Sequence, residues 1–399
     1  MAKVAILGYG TVGSGVYDVL TKNSARVSTS AGEAIEIKYV LDLRDFPGQP
    51  VEKVLVHDYE KIVSDPEVSV VVEVMGGLKP SYDFVKRALE AGKSVCTSNK
   101  ALVAEYGPEL LKTAAEHNVL FLFEAAVGGG IPIIRPLRDC LSADRIDRIA
   151  GILNGTTNYI LTRMEREGST YGEMLKDAQS LGYAERDPSA DVDGWDACRK
   201  IAILASIVTG KQVRYQDVPT EGIAQITRED MRYAAEWDMK IKLIAAADFA
   251  DDGVSCHVAP TMLGRDSQLY YVDDVINGVH VHGDQVGNLL FTGAGAGKYP
   301  TASAVACDVV ECVRSAGLPK RNLSFAGKAA LVPEDETTTA AFIRLPEESL
   351  EEARKCLPVL KEIHGVKPGE AGIAVSAVKV GDLKTAAEKL KTVKVLRMA

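Results

Sequence analysis

The amino-acid sequence predicts an α/β fold in three parts. Residues 1–135 read as a parallel sheet covered by helices, 136–337 as an α+β domain, and 338–399 as a small βα tail. Three observations carry this. The turn Gly8-Tyr9-Gly10-Thr11-Val12-Gly13 joins an apolar strand to a helix. Fully apolar strands then alternate with helical periodicity, the pattern of a sheet buried on both faces. From Ile149 onward that regular alternation gives way to a mixed order of strands and helices.

With 399 residues, 46% hydrophobic and 25% charged, the chain has a globular balance and suits about two or three domains. A net charge of -9 argues against nucleic-acid and anionic-membrane surfaces. No window approaches the ~20 consecutive apolar residues of a membrane span. The N-terminus enters a strand without a basic region or cleavage site, so no export signal is expected. The 7 cysteines are scattered, without a Cys-x-x-Cys pair. That points to a reducing, cytoplasmic setting and against disulfides or a zinc site.

Lys3 to Leu7 forms the first strand, and Val16, Val19 and Leu20 mark the helix after the glycines. Such a turn lets backbone amides approach a pyrophosphate at the helix N-terminus. The second strand, Ile35 to Leu41, ends in Asp42-Leu43-Arg44. An acid there takes ribose hydroxyls and favours NAD, whereas an arginine pairs with a 2′-phosphate and favours NADP. Both are present, so the preference stays open. Val68 to Met75, Ser94 to Thr97 and Leu120 to Glu124 are further strands, separated by helices at Ser81 to Ala91 and Tyr106 to Glu116. Gly76, Lys100 and Glu124 fall at strand C-terminal ends, where ligands collect in such sheets. Glu124 before Gly128-Gly129-Gly130 suits either a hard cation held with carbonyl oxygens or a simple cap.

In the middle part, Ile149 to Leu153 reads as a strand and Asn154 to Asn158 as the polar start of a helix, suited to a carboxylate or to ordinary capping. Glu236 to Asp248 reads as a helix leading into a strand, with strands at Val254 to Pro260, Gly278 to Val281 and Asn288 to Thr292. His280 and His282 share a strand face but lack a third metal ligand nearby. Gly293 to Gly297 opens a helix of small residues, 302–315, expected to pack back on the first domain. The tail reads as a strand from Ala340, a helix from Ser349 to Ile363, a strand from Ile373, a helix from Leu383 and a last strand from Val393.

The chain turns on Gly182 to Lys200. Pro188 interrupts regular structure, Asp193 is read as an N-cap, and Trp195, Cys198, Ile201, Ala202, Ala205 and Val208 follow at helical spacing. Asp196 and Lys200 stand four apart, on one face beside apolar neighbours. On spacing alone the surface ion pair is the favoured reading; the other is a lysine kept charged at a core border to protonate an alkoxide.

These motifs together resemble homoserine dehydrogenase over residues 1–330. The resemblance rests on Gly8 to Gly13, Ser98-Asn99-Lys100, Asn154 to Asn158, Gly293 to Thr301, and the window holding Ala178, Gly182, Asp187, Pro188, Asp191, Gly194, Asp196 and Lys200. It implies an N-terminal Rossmann dinucleotide-binding domain, an α+β substrate and dimerisation domain, and a C-terminal ACT-like tail. It implies reversible NADP- or NAD-linked reduction of L-aspartate 4-semialdehyde to L-homoserine, on the route to threonine and methionine, by a homodimer or homotetramer. Lys200 resembles the family's proton donor and Lys100 the lysine touching cofactor and substrate. Glu185, Asp196 and the supporting Asp191 look like substrate carboxylates, with Thr156 at the substrate helix. Gly8, Gly10, Thr11, Val12, Gly13, Gly76, Gly182 and Gly297 look like cofactor contacts. Glu124, with carbonyls of Val127, Gly129 and Ile131, resembles a sodium loop. Where the family's tail has a glycine-containing turn, this chain has Pro346-Glu347-Glu348, so the resemblance does not extend to feedback by threonine.

Overall fold

The computed structural model describes residues 1–251 and 253–399, which form two compact units. The first comprises Met1–Ala143, Ala202–Arg214 and Gly293–Lys328. Its strands are β1 (Ala2–Leu7), β2 (Ile35–Leu41), β3 (Leu55–Val56), β4 (Val68–Glu73), β5 (Ser94–Thr97) and β6 (Phe121–Leu122), in the order β3-β2-β1-β4-β5-β6. Every pairing is parallel, and the reversal of strand order lies between β1 and β4. In such sheets the crevice at that reversal, beyond the strand C-termini, receives the dinucleotide.

The apolar strands are buried because helices cover them. Val4, Ile6, Val70, Val72 and Cys96 share one core with Val16 and Leu20 of the Thr11–Lys22 helix and with Val305, Val309 and Val313 of the Lys298–Arg314 helix. Each fully buried aliphatic side chain contributes roughly 1.5–3 kcal/mol. These two helices approach closely through small residues: a Cβ on Gly15 would stand 2.6 Å from the Lys298 carbonyl oxygen.

The second unit comprises Asp144–Ile201, Tyr215–Thr292 and Ala329–Ala399. It is built on a nine-stranded mixed sheet of β7 (Ile146–Ile152), β8 (Lys240–Ala250), β9 (Gly253–Leu263), β10 (Ile276–Gly283), β11 (Gly287–Ala294), β12 (Thr338–Pro346), β13 (Val359–Lys367), β14 (Glu370–Lys379) and β15 (Lys394–Met398). The order is β11-β10-β7-β8-β9-β15-β12-β14-β13, so the tail extends the sheet of the body. The join is a short parallel one, Arg397 to Thr261 and Met398 to Met262.

Along β12 the two-residue period divides the labour. Ala341, Ile343 and Leu345 face a core made with the tail's own helices. Phe342 and Arg344 face the body: Phe342 packs on Tyr233 and Trp237, and Arg344 donates to Asp230 at 2.8 Å.

The structure corrects several sequence expectations. Residues 349–363 are not one helix: Leu350–Cys356 is helical, Leu357 turns extended, and β13 follows. Pro358 disfavours helical geometry in the residue before it. The helix expected from Glu236 ends there instead, running Arg228–Glu236 behind a Thr227/Asp230 capping box. Asp238, at φ +57, breaks it, and the alanine-rich run that follows is strand. The Tyr106 helix begins earlier, at Lys100, where Asn99 caps it, and continues through Pro108. The Leu120–Glu124 strand shrinks to Phe121–Leu122, and a helix at Ser24–Ala31 had no strong periodic signal. Asp193 is not the N-cap of the lysine helix: it ends the short Ser189–Val192 helix, and Gly194 at φ +87 separates the two.

Candidate active site

In the first unit, the glycine turn has the geometry its residues predict. Gly8 adopts φ +96, and a Cβ on Gly13 would sit 1.9 Å from the Gly8 carbonyl oxygen, so only glycine lets the Thr11–Lys22 helix start this close to β1. A Cβ on Gly10 would meet nothing within 4 Å. The helix opens at Gly10 without a side-chain cap, and its first amides, on Thr11, Val12 and Gly13, point out of the helix end. That is a fit for a pyrophosphate, by open space as well as by donors.

Asp42, at the end of β2, accepts the Tyr9 backbone N–H at 2.7 Å and two guanidinium bonds from Arg44, each 2.9 Å. The arginine beside it, and then that amide, hold its carboxyl well below the usual range.

The end of β4 carries an unforeseen network. Glu73 is fully buried and accepts from Thr97 at 2.6 Å and from the backbones of Met75 and Gly76 at 2.8 and 3.2 Å. Thr97 in turn accepts the Asn99 N–H, and the Asn99 amide donates to the Gly77 carbonyl at 2.6 Å. Gly76 is thereby fixed against β4, and half-buried Lys100 is set at the first position of the helix that Asn99 caps. A carboxylate closing an otherwise apolar strand was the available signal for this network.

Glu124 is buried, and both its oxygens are committed to the backbone N–H groups of Ile133, Ile134 and Arg135, at 2.7 to 2.8 Å. Its own N–H reaches Asp308, which also accepts from Arg135 at 2.7 Å. Burial pushes Asp308 up to about 7, against the pull of Arg135. Val127 lies in the short Ala125–Gly128 helix, and Ile131 donates its N–H back to Gly128. Gly129 backs directly on the second glycine loop, since its Cβ would stand 2.2 Å from the Gly295 oxygen. Gly297, at φ +124, ends that loop as the N-cap of the Lys298–Arg314 helix. Among the described residues, no three His, Cys, Asp or Glu side chains converge to hold a metal.

In the second unit, the Trp195–Thr209 helix directs Asp196 and Lys200 inward, 4% and 7% exposed. A surface ion pair is therefore excluded. The Lys200 ammonium donates to Asp196 Oδ2 at 2.8 Å and to the Leu153 carbonyl at 2.7 Å. Next to Leu153, Asn154 caps the Gly155–Glu167 helix and its amide donates to Asp191 at 2.7 Å and Asp196 at 2.9 Å. One ammonium, two carboxylates and one amide thus form a polar cluster, buried except at half-buried Asp191. Burying an ammonium costs several kcal/mol unless it is paired and hydrogen-bonded, and both conditions hold here.

Thr156, in the first turn of that helix, donates to the Tyr183 carbonyl at 2.6 Å. Gly182, at φ +75, turns the chain after the Tyr171–Ser180 helix. Glu185 is not drawn into the cluster; it lies exposed on the following stretch, where Gln179 holds its backbone at 3.1 Å. Sequence reasoning grouped Asn154 with its neighbours as a carboxylate-binding turn and missed its side chain, which faces Asp191 and Asp196. His280 and His282 pair instead with Asn288 and Asp147.

A family profile described as the NAD binding domain of homoserine dehydrogenase matches residues 8–124, and one described as homoserine dehydrogenase matches 132–310. A homoserine dehydrogenase of Synechocystis is 48% identical over 319 residues, covering 78% of this chain and 73% of that protein. One of Pseudomonas aeruginosa is 43% identical, covering 78% and 72%. The crystal structure of a homoserine dehydrogenase from Thiobacillus denitrificans superposes with a TM-score of 0.92 at 35% identity, covering 100% of this chain and 98% of that one. A hyperthermophilic archaeal homoserine dehydrogenase in complex with NADPH gives 0.69 at 28% identity, covering 81% and 99%.

Proposed function

Because the chain belongs to the homoserine dehydrogenase family, NAD(P)-dependent oxidoreductases acting on a CH–OH group, we propose that Lys200 is the acid of its reaction. In the reductive direction L-aspartate 4-semialdehyde becomes L-homoserine, and a bound nicotinamide supplies the hydride. The alkoxide left on the substrate needs a cationic donor held in place, and Lys200 beside Asp196 meets that need. The observation that carries this reading is the buried ammonium, with carboxylate and carbonyl at 2.8 and 2.7 Å. Asp191, Asp196 and Glu185 are assigned to the substrate ammonium, and Thr156 with the helix start to its carboxylate. Lys100 is assigned to cofactor and substrate contact, and Gly8, Gly10, Thr11, Val12, Gly13, Gly76, Gly182 and Gly297 to the cofactor. Absorbance at 340 nm with homoserine and NADP or NAD tests the activity; no reduced cofactor with either would remove it.

Cofactor choice turns on Arg44. Asp42 spends its oxygens on Tyr9 and Arg44; the guanidinium, joined to Asp42 through Nε and Nη2 and 62% exposed, keeps Nη1 to offer a 2′-phosphate, which favours NADP. Arg44→Ala is expected to raise KM for NADP by about tenfold or more, the worth of a charge-assisted bond. KM for NAD should move far less; equal increases would contradict the assignment.

The sodium assignment is narrowed. With its carboxylate committed to three amides, Glu124 would serve a sodium ion through its main-chain carbonyl, alongside Val127, Gly129 and Ile131. Replacing sodium with a bulky organic cation should lower the thermal midpoint, and an unchanged midpoint removes the site.

We read the tail as ACT-like, supported by its βαββαβ order, and as serving association in a homodimer or homotetramer. Mass photometry showing monomers alone would overturn this. No helix among the described residues is long and apolar enough to cross a membrane.

A further inference from the structure

We infer that Asn154 is a positioning residue, whose neutral amide sets the geometry of the proton donor by bridging the two carboxylates around it. The inference rests on Lys200 being the acid.

The bonding of Asn154 fixes which way its amide faces. Its Oδ1 accepts the Thr157 N–H at 2.8 Å, so its nitrogen must face the carboxylates. That nitrogen has two hydrogens and two acceptors, Asp191 Oδ1 at 2.7 Å and Asp196 Oδ2 at 2.9 Å. A flipped amide would set oxygen against two carboxylates and nitrogen against an N–H. The residue is 6% exposed and its bond to Asp196 is buried, so water cannot substitute freely for that bond.

The same Asp196 oxygen receives Lys200, and the neighbouring residue's carbonyl, on Leu153, receives Lys200 too. Two consecutive residues thus hold the ammonium: Leu153 directly, and Asn154 through its acid. Removing the bridge takes a donor from the Asp196 oxygen that also receives Lys200, so the carboxylate and the ammonium can shift together. A 1 Å displacement of a reacting group costs on the order of 100-fold. The amide also places a donor between two carboxylates that would otherwise repel each other.

Asn154→Asp separates this role from helix capping. Aspartate caps as well as asparagine, so the helix start is preserved, but both donors are lost and a third carboxylate joins the group. Turnover is expected to fall about 10- to 100-fold at pH 8. The deficit should shrink as the pH is lowered, since a proton shared among three crowded carboxylates restores one donor. A residue that only caps would give Asn154→Asp wild-type turnover and an unchanged pH profile, and that result overturns the inference.

Asn154→Ser, which also caps but bridges nothing, should lose turnover without the acid recovery. Wild-type turnover there would equally overturn the inference, and this variant decides the matter should Asn154→Asp fail to fold. Lys200→Ala, measured alongside, identifies failure of the underlying reading: if it keeps full turnover, the proton-donor assignment falls and the positioning role with it.

Discussion

Lys200→Ala is expected to lower turnover of homoserine by about 100- to 10,000-fold, the range typical of a lost general acid, while NADP still binds. The split follows from which groups are involved. The glycine turn of the first unit carries the dinucleotide features, and Lys200 bonds instead with Asp196 and Leu153 in the polar cluster that Asn154 completes. The substitution also strips a buried carboxylate of its counter-charge, which can cost about 3–5 kcal/mol of stability. Turnover is therefore compared well below each variant's unfolding midpoint, with NADP affinity read separately. Because an interaction made only in the transition state is lost, kcat and kcat/KM should fall together. A rise in KM with kcat intact would make Lys200 a binding residue.

Arg344→Met should lower stability by about 3–5 kcal/mol. Arg344 is 5% exposed and its partner Asp230 is fully buried. Asp230 already takes the Thr227 N–H and hydroxyl, each at 2.9 Å, but those neutral donors do not replace a guanidinium at 2.8 Å. Methionine fills the volume and leaves the acid buried without its cation. The effect should reach both sides of the contact, since Arg344 is on β12 and Asp230 opens the Arg228–Glu236 helix. By contrast, breaking the exposed Arg354–Glu362 pair should change little. Urea unfolding followed by tryptophan fluorescence reads the tail directly, because Trp237 packs on Phe342. A loss under about 1 kcal/mol would mean the ion pair is not what docks the tail.

What the sequence made legible is what is local. The glycine turn announces itself because strand, glycines and helix are adjacent, and the close approach of Gly13 to Gly8 explains the glycine directly. Asp196 and Lys200 declare their shared face by spacing alone, since helix geometry fixes which residues meet at i and i+4. What stayed hidden depends on contacts distant in sequence. Asn154 reads as a capping residue and is one, yet its second role needs acids 37 and 42 residues away. Glu124 reads as either a cation ligand or a simple cap, and the three amides of the next segment that occupy its carboxylate are not visible in its local sequence. Secondary structure failed where one apolar pattern serves both states: Ile241 to Ala247 suits a helix in isolation, but becomes strand because β7 and β9 pair on either side.

If the Lys200 ammonium protonates the substrate oxygen, the two must meet, and a crystal structure of the protein with NADPH and L-homoserine measures that distance. Lys200 Nζ is expected within about 3.2 Å of the homoserine side-chain oxygen, still bonded to Asp196. An oxygen met only by Lys100, or an Nζ beyond the reach of even one bridging water, would contradict it.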